Sequence, residues 1–350
     1  MRLGRLDGMR GIAACVVAFG HHGWNLLSES QIAGTHYGPF LDWCRVWGWT
    51  CVDLFFVLSG YIFAHVYIGG NGKGPLLKTR GDLADFAVAR VARLYPLHLL
   101  TLLLFALFCF GRDGNTAGAF AANLAMLQGF LSPIALTFNR PSWSLTIECI
   151  CYVFFVAAAL AGSRALAWLT ALAILWGSAM LAVHGQPGGP WVGDTFPRGF
   201  LGFFMGQALW RWRVPLARVP SWLLVIALVG GLVLDTGRWS PLLPVLLIAW
   251  PAALLLALRV PLLESAPMLW IGDRSYSIYL VHLAVINVVL WAVGPYSGGV
   301  VMMAVRYFAV VAAALLCSDL ALRLIEWPAR KAIRRLWQQR KSDMRLPAAV

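Results

Sequence analysis

Long apolar runs separated by short polar and basic stretches occupy the chain almost from its first residues to about residue 322. Crossing a bilayer as a helix takes ~20 mostly apolar residues. Runs that qualify lie near 10–27, 47–68, 94–111, 144–163, 165–183, 196–212, 220–236, 240–258, 276–294 and 299–322. The predicted fold is all-α, a polytopic membrane protein of about ten transmembrane helices. Residues 117–136, AGAFAANLAMLQGFLSPIAL, could make an eleventh crossing by hydropathy alone. That crossing would send Arg164 and the cluster Arg211, Arg213 and Arg218 to the opposite side from the other basic groups, so a re-entrant or interfacial segment is expected there.

With that count, Arg2, Arg5 and Arg10, Lys73 to Arg93, Arg259 and Arg274, and the tail from Arg330 to Arg345 all fall on one side. This is the positive-inside pattern, which places both termini in the cytoplasm and the protein in the inner (cytoplasmic) membrane as a multi-pass chain. A transmembrane domain is expected over 1–328, followed by a basic cytoplasmic tail over 329–350 that faces lipid headgroups.

Composition agrees: 60% of the 350 residues are hydrophobic and 12% are charged, against about 25% charged in soluble domains. The 28 Lys and Arg outnumber 15 Asp and Glu, but they sit in short clusters between apolar runs, so nucleic acid is not an expected partner. The seven cysteines lie mostly within apolar segments without metal-type CxxC spacing, and read as small core residues. A basic N-terminus ahead of an apolar stretch resembles a signal peptide. No convincing cleavage site follows, and 10–27 is expected to be a retained span.

A charge near the bilayer centre costs at least ~2.5–3.5 kcal/mol, so each ionisable residue inside a span is a candidate functional group. Those singled out are His21, His22, Asp53, Glu148, His282 and Arg306. On an uninterrupted α-helix, Arg10 and His21 lie within about 20° of one face and ~16 Å apart along the axis, with His22 turned about 100° away. Adjacent histidines diverge in this way, so no metal site is expected. Asp53, in VDLFFVLSGYIF (52–63), suits either a helix start or a functional role and needs a partner.

Arg90 and Arg93, in FAVARVARLYPLHLL (86–100), lie one turn apart at a span boundary, where they could bind phosphate or anchor to headgroups. In NRPSWSLTIECICYVF (139–154), Pro141 suits a helix start and Ser142 or Ser144 a cap. Glu148 follows Ser144 on the same face and wants an Arg or a hydroxyl, as a buried ion pair or a catalytic group. In IGDRSYSIYLVHLAVI (271–286), Ser275 and His282 are close to one face, and His282 is expected to meet His21 inside the bundle.

Together these stretches resemble the acyltransferase 3 family of integral membrane acyltransferases. The matching positions are Arg10 and His21 as its Arg-x10-His, VDLFFVLSGYIF, Arg90 and Arg93 as its Arg-x-x-Arg, PSWSLTIE ending at Glu148, GDRSYSIYLVH ending at His282, and IEWPAR around Glu326. They occur in the family's order from about residue 4 to 330, with Trp327 where relatives often carry a basic residue. The resemblance implies a ten-helix bundle that takes acyl groups from cytoplasmic acyl-CoA, commonly acetyl-CoA, as co-substrate and without a metal. It delivers them to a hydroxyl of a glycan, lipid-linked sugar or other acceptor.

Acyl transfer to a hydroxyl needs a base, oxyanion stabilisation and a seat for the donor's phosphates. His21 is the expected base, since imidazole titrates near neutrality. Arg10, Arg90 and Arg93 are the expected donor ligands, Glu148 orients an Arg or the imidazole, and His282 assists or carries the acyl group. Asp53, Ser142, Trp143, Ser144 and Ser275 are expected to support the site. A competing reading is a transporter or flippase of a lipid-linked sugar, with His, Glu and Asp as an intramembrane proton relay. The 17 Trp offer stacking surfaces for sugars, although interfacial anchoring explains most of them.

Overall fold

A computed structural model describes residues 3–32, 37–69, 77–130, 134–184 and 192–343. Among these residues there is no strand, only one isolated bridge between Leu27 and Tyr296. The backbone is otherwise organised almost entirely as helices, the form that lets an apolar chain satisfy its own peptide groups away from water.

Six helical stretches are long and apolar enough to span a membrane: Pro39–Ile68, Gly81–Cys109, Arg140–Ala161, Ser163–His184, Ala266–Val293 and Val300–Asp343. Ser221–Val233 and Leu242–Ala257 are shorter apolar helices. Helices stand at the ten expected places, but among the described residues six stretches, not ten, have the length and hydropathy to cross. Val192–Arg211 has the length, yet carries Asp194, Arg198 and Arg211. The first segment is α-helical over Gly4–Cys15, π-helical over Val16–His21 and 3₁₀ over His22–Leu26. Residues 117–136 hold an eight-residue helix, Ala117–Leu124, and a 3₁₀ turn, Gln128–Phe130. Eight residues rise only about 12 Å, too little to cross.

The helices that build the site are α1 (Gly4–Cys15), α2 (Pro39–Trp47), α3 (Cys51–Phe63), α4 (Arg80–Cys109), α5 (Ala117–Leu124), α6 (Trp143–Ala161), α7 (Ser163–His184) and α8 (Val192–Arg211). After them come α9 (Ser221–Val233), α10 (Trp250–Ala257), α11 (Ala266–Val293), α12 (Val300–Ala321) and α13 (Trp327–Asp343). Helix α4 starts at a capping box: Asp82 N donates to Thr79 Oγ1 at 3.2 Å, and Thr79 N donates back to Asp82 Oδ2 at 2.7 Å. The tail forms helix α13 after a π turn at Leu322–Glu326. It docks on the start of α4, where Trp337 Nε1 and Lys341 Nζ donate to the Asp85 carboxylate at 2.7 and 2.6 Å.

Small residues set the closest contacts, as membrane helices require in the absence of a hydrophobic drive between them. A Cβ on Gly60 would stand 1.8 Å from Phe203 O, and one on Gly206 1.9 Å from Val57 O, so α3 and α8 run with their backbones in contact. The core around them is aromatic, with Phe56, Phe155, Phe203 and Phe204 buried. Large apolar side chains such as Leu107, Trp168 and Val183 point outward, the surface expected of a protein solvated by lipid.

Candidate active site

A narrow cavity of about 90 Å³ lies among α1, α3, α4, α6 and α11, and Arg10, Ser59, Arg90, Arg93, Glu148 and Ser275 line it. Arg10 reaches it because α1 and α11 touch. A Cβ on Gly272 would stand 2.4 Å from Asp7 O, and one on Gly11 2.7 Å from Gly272 N. At that separation Arg10 Nη2 donates to Ser275 Oγ at 3.2 Å and Nη1 to Asp7 Oδ1 at 3.4 Å.

Arg90 sits in a cage of rings, its guanidinium carbon 5.1 Å from the Phe63 centroid, 5.7 Å from Phe86 and 5.9 Å from both Tyr67 and Tyr152. Such faces hold a cation without neutralising it. Its Nη2 donates to Tyr67 OH at 3.3 Å, and its Nε is buried without a partner. Arg93, one turn further along α4, lines the same cavity.

Glu148 is the only carboxylate among the described residues lining this space. Its partners are hydroxyls. Ser59 Oγ donates to Oε1 at 3.3 Å, and Tyr152 OH makes a short bond to the same oxygen. Tyr152 stacks on Phe63 with centroids 4.3 Å apart, so Glu148 fixes one wall of the Arg90 cage. Three guanidiniums thus face one carboxylate, an excess of positive charge suited to a ligand with several negative charges.

The cavity ends at Tyr279 and Ser144. Tyr279 OH donates to Pro141 O at 2.7 Å, and Ser144 Oγ lies 2.9 Å from the Tyr279 oxygen and 3.2 Å from the same carbonyl, with one proton for either. On the next turn of α11, His282 has its ring centroid 6.4 Å from that of Tyr279. None of His21, His22 and His282 lines the cavity. The expected donor ligands Arg10, Arg90 and Arg93 thus line a cavity that the expected base His21 does not, and Tyr279 both lines that cavity and neighbours His282.

The expected meeting of His282 with His21 is also corrected. His282 Nε2 lies 2.9 Å from His22 Nδ1, while His21 Nδ1 lies 2.8 Å from Arg45 O. The cause is the π turn over Val16–His21 followed by 3₁₀ at His22. Loops closed i→i+5 and then i→i+3 break the 100° register that puts Arg10 and His21 on one face.

Proton positions follow from the partners, because a carbonyl oxygen only accepts. His21 carries its proton on Nδ1, facing Arg45 O, which leaves the lone pair on Nε2. His282 donates from Nδ1 to Ile278 O at 2.9 Å. Its Nε2 therefore accepts from His22 Nδ1, and His22 also presents its lone pair at Nε2. The rings of His21 and His22 are 4.9 Å apart, edge to face.

The remaining expected residues serve the frame. Asp53 is paired with Arg198 through two bonds, Nε to Oδ1 at 3.0 Å and Nη2 to Oδ2 at 2.9 Å, and both side chains are fully buried. Arg198 lies 4.6 Å from the Trp49 ring and 5.4 Å from Trp143, so Trp143 covers this ion pair and does not line the cavity. Ser142 holds the N-cap position of α6, but its side chain makes no capping bond. It accepts from Gln128 Nε2 through its carbonyl at 2.9 Å, and its Oγ lies 3.5 Å from Asn123 Oδ1, which ties the 117–130 segment to α6. Arg306 bonds the Gly294 carbonyl at the start of the turn before α12.

Residues 3–323 match the family model Acyl_transf_3, described as an acyltransferase domain. The chain belongs to the acyltransferase 3 family. No curated protein and no solved structure matches it. This acyltransferase 3 chain carries the motif positions Arg10, Arg90, Arg93, Glu148 and Ser275 around one cavity, and His282 beside Tyr279 of that cavity. The family match ends before α13, so Trp327 and Arg330 lie outside it.

Proposed function

We propose that this protein is an O-acyltransferase of the inner membrane with both termini in the cytoplasm. It moves an acyl group, acetyl in the simplest case, from cytoplasmic acyl-CoA to a hydroxyl of a glycan or another hydroxylated acceptor. The observation that carries this reading is the cavity in which Arg10, Arg90 and Arg93 face Glu148, one helical turn of α11 away from paired imidazoles.

In this reading the arginines hold the donor's phosphates, and the thioester arm runs past Ser59 toward Tyr279. Displacing the Tyr279 ring opens the way to the imidazoles. His21 takes the acceptor hydroxyl's proton at Nε2 while the hydroxyl oxygen attacks the thioester carbonyl. The tetrahedral intermediate then collapses with loss of the CoA thiolate, which is protonated to the free thiol. The Arg45 carbonyl fixes the His21 tautomer, as a second partner does for many catalytic imidazoles. His22, aligned by His282, stands beside it as a second acceptor for the proton.

The test is transfer of radiolabelled acetyl from acetyl-CoA to surface glycans by membranes containing the protein or lacking it. Label appearing in glycan only with the protein present supports the reading. If acetyl-CoA is neither consumed nor needed while a lipid-linked sugar moves across the bilayer, the protein is a transporter and the proposal falls.

A further inference from the structure

Below the cavity, toward the ends of the chain, a second, polar pocket of about 200 Å³ shares Arg10, Arg93 and Tyr276 with it. Its other wall comes from the tail, through Glu326, Trp327 and Arg330. Pockets that hold compact organic ligands measure roughly 300–1,000 Å³. The inner cavity, at about 90 Å³, therefore admits a thin arm but not a nucleotide. The outer pocket, at about 200 Å³, is also below that range, so a bulky anionic head on a thin arm would place its phosphates there and leave the rest at the pocket's mouth.

That pocket has acids as well as arginines, and the acids are engaged. Asp7 holds Arg10 at 3.4 Å. Glu326, only 3% exposed, bonds Ser277 Oγ and lies 3.7 Å from Arg330 Nη2. Asp273 also has a partner. On the cationic side, Arg93 makes no hydrogen bond or ion pair among the described residues, and Arg330 Nε is buried without a partner. Trp327 is 49% exposed and presents an indole to a pocket that is otherwise polar. Guanidiniums with spare donors beside one open aromatic face are the means by which proteins hold a nucleotide phosphate and stack its base.

We infer that the tail helix completes the donor site: Arg330, with Arg93, binds phosphate of the CoA nucleotide head, and Trp327 stacks on its adenine. The inference rests on the acyl-CoA reading above and assigns a role to two residues of IEWPAR that lie past the matched span 3–323. Helix α13 is then part of the enzyme as well as a surface anchor, held in place by Trp337 and Lys341 on Asp85.

The test uses the full-length protein in phosphatidylcholine nanodiscs with two donors, acetyl-CoA and S-acetylpantetheine, which lacks the nucleotide. A charge-assisted hydrogen bond contributes about 1.5–3 kcal/mol, so Arg330→Ala should lower the preference for acetyl-CoA over S-acetylpantetheine at least tenfold. It should weaken binding of adenosine 3′,5′-bisphosphate by the same factor. Trp327→Ala should weaken both and Trp327→Phe largely restore them, an ordering that a merely structural tail would not produce. Arg330→Lys keeps the charge beside Glu326 and guards against misfolding; its effect should be intermediate.

Three results overturn the inference: a donor preference unchanged in Arg330→Ala, equal bisphosphate affinity in wild type and variants, or an Arg330 effect that appears only when phosphatidylglycerol is added, which would make the site a lipid-headgroup contact. If wild type transfers acetyl from S-acetylpantetheine but shows no preference for acetyl-CoA, this inference fails while acyl transfer stands. If neither donor is used, both fail.

Discussion

Replacing Asp53 with Asn would leave the Arg198 guanidinium buried against Trp49 and Trp143 with no counter-charge, because both side chains of the pair are 0% exposed. Removing one partner of a buried ion pair costs about 3–5 kcal/mol, whereas replacing both by apolar groups of similar volume is often neutral or stabilising. A native domain is stable by only about 5–15 kcal/mol, so Asp53→Asn should consume about a fifth of that margin or more. At roughly 2–4 °C per kcal/mol, the apparent Tm should fall by about 6–20 °C. The double variant Asp53→Leu/Arg198→Met should recover most of the loss. Thermal unfolding of detergent-solubilised protein, followed by size-exclusion chromatography of the heated sample, reads the shift; acyl transfer per folded molecule reads activity. A double variant as unstable as the single would refute the account of the pair as an isolated two-charge unit. One that is stable but inactive would show that Asp53 has chemistry of its own.

The other predictions concern the reaction and the packing that supports it. His21→Ala should lower the rate of transfer by about 10²–10⁴, the usual contribution of a general base, with membrane level near wild type. His282→Ala should lower it less, since His282 acts by aligning His22; an unaltered rate in His21→Ala with loss in His22→Ala would move the base to the neighbouring ring. Arg93→Ala should raise the KM for acyl-CoA about tenfold or more with little change in the acceptor KM, and an unchanged donor KM in steady-state assays would leave Arg93 as a lipid anchor. Gly206→Ala would put a methyl 1.9 Å from Val57 O, so membrane yield and solubilised monomer should collapse; a normally folded Gly206→Ala would mean that α3 and α8 can separate.

The class of fold is readable from the chain because lipid imposes one demand on every span, apolar side chains over a helix of sufficient length. That demand locates helices but does not say which are complete crossings. Val192–Arg211 shows why: Arg198 falls two residues inside the expected span 196–212, where it passes for a boundary charge. In the folded chain it is fully buried against Asp53, 145 positions away in sequence. An intramembrane Asp announces that a cation must exist. Only the contact of α3 with α8 identifies it.

The site divides along similar lines. That Glu148 needs an Arg or a hydroxyl is legible from its place in an apolar helix, and the hydroxyl of Tyr152, four residues on, is within reach of spacing although the sequence reading does not single it out. Groups placed by a change of helix type are not legible in this way. Nothing in VVAFGH announces a π turn, yet those six residues decide which of two adjacent histidines turns toward α11. A regular α-helix through this stretch would keep Arg10 and His21 on one line, and the donor's phosphates and the base would share one open space. The π and 3₁₀ turns direct His22 to His282 and His21 to the Arg45 carbonyl, with Tyr279 lining the arginine-rich cavity and its ring 6.4 Å from that of His282. On the proposed reading, a thioester held by the arginines would meet the Tyr279 ring before the imidazoles, and the same local irregularity that defeats helical-wheel reasoning would withhold the donor from hydrolysis.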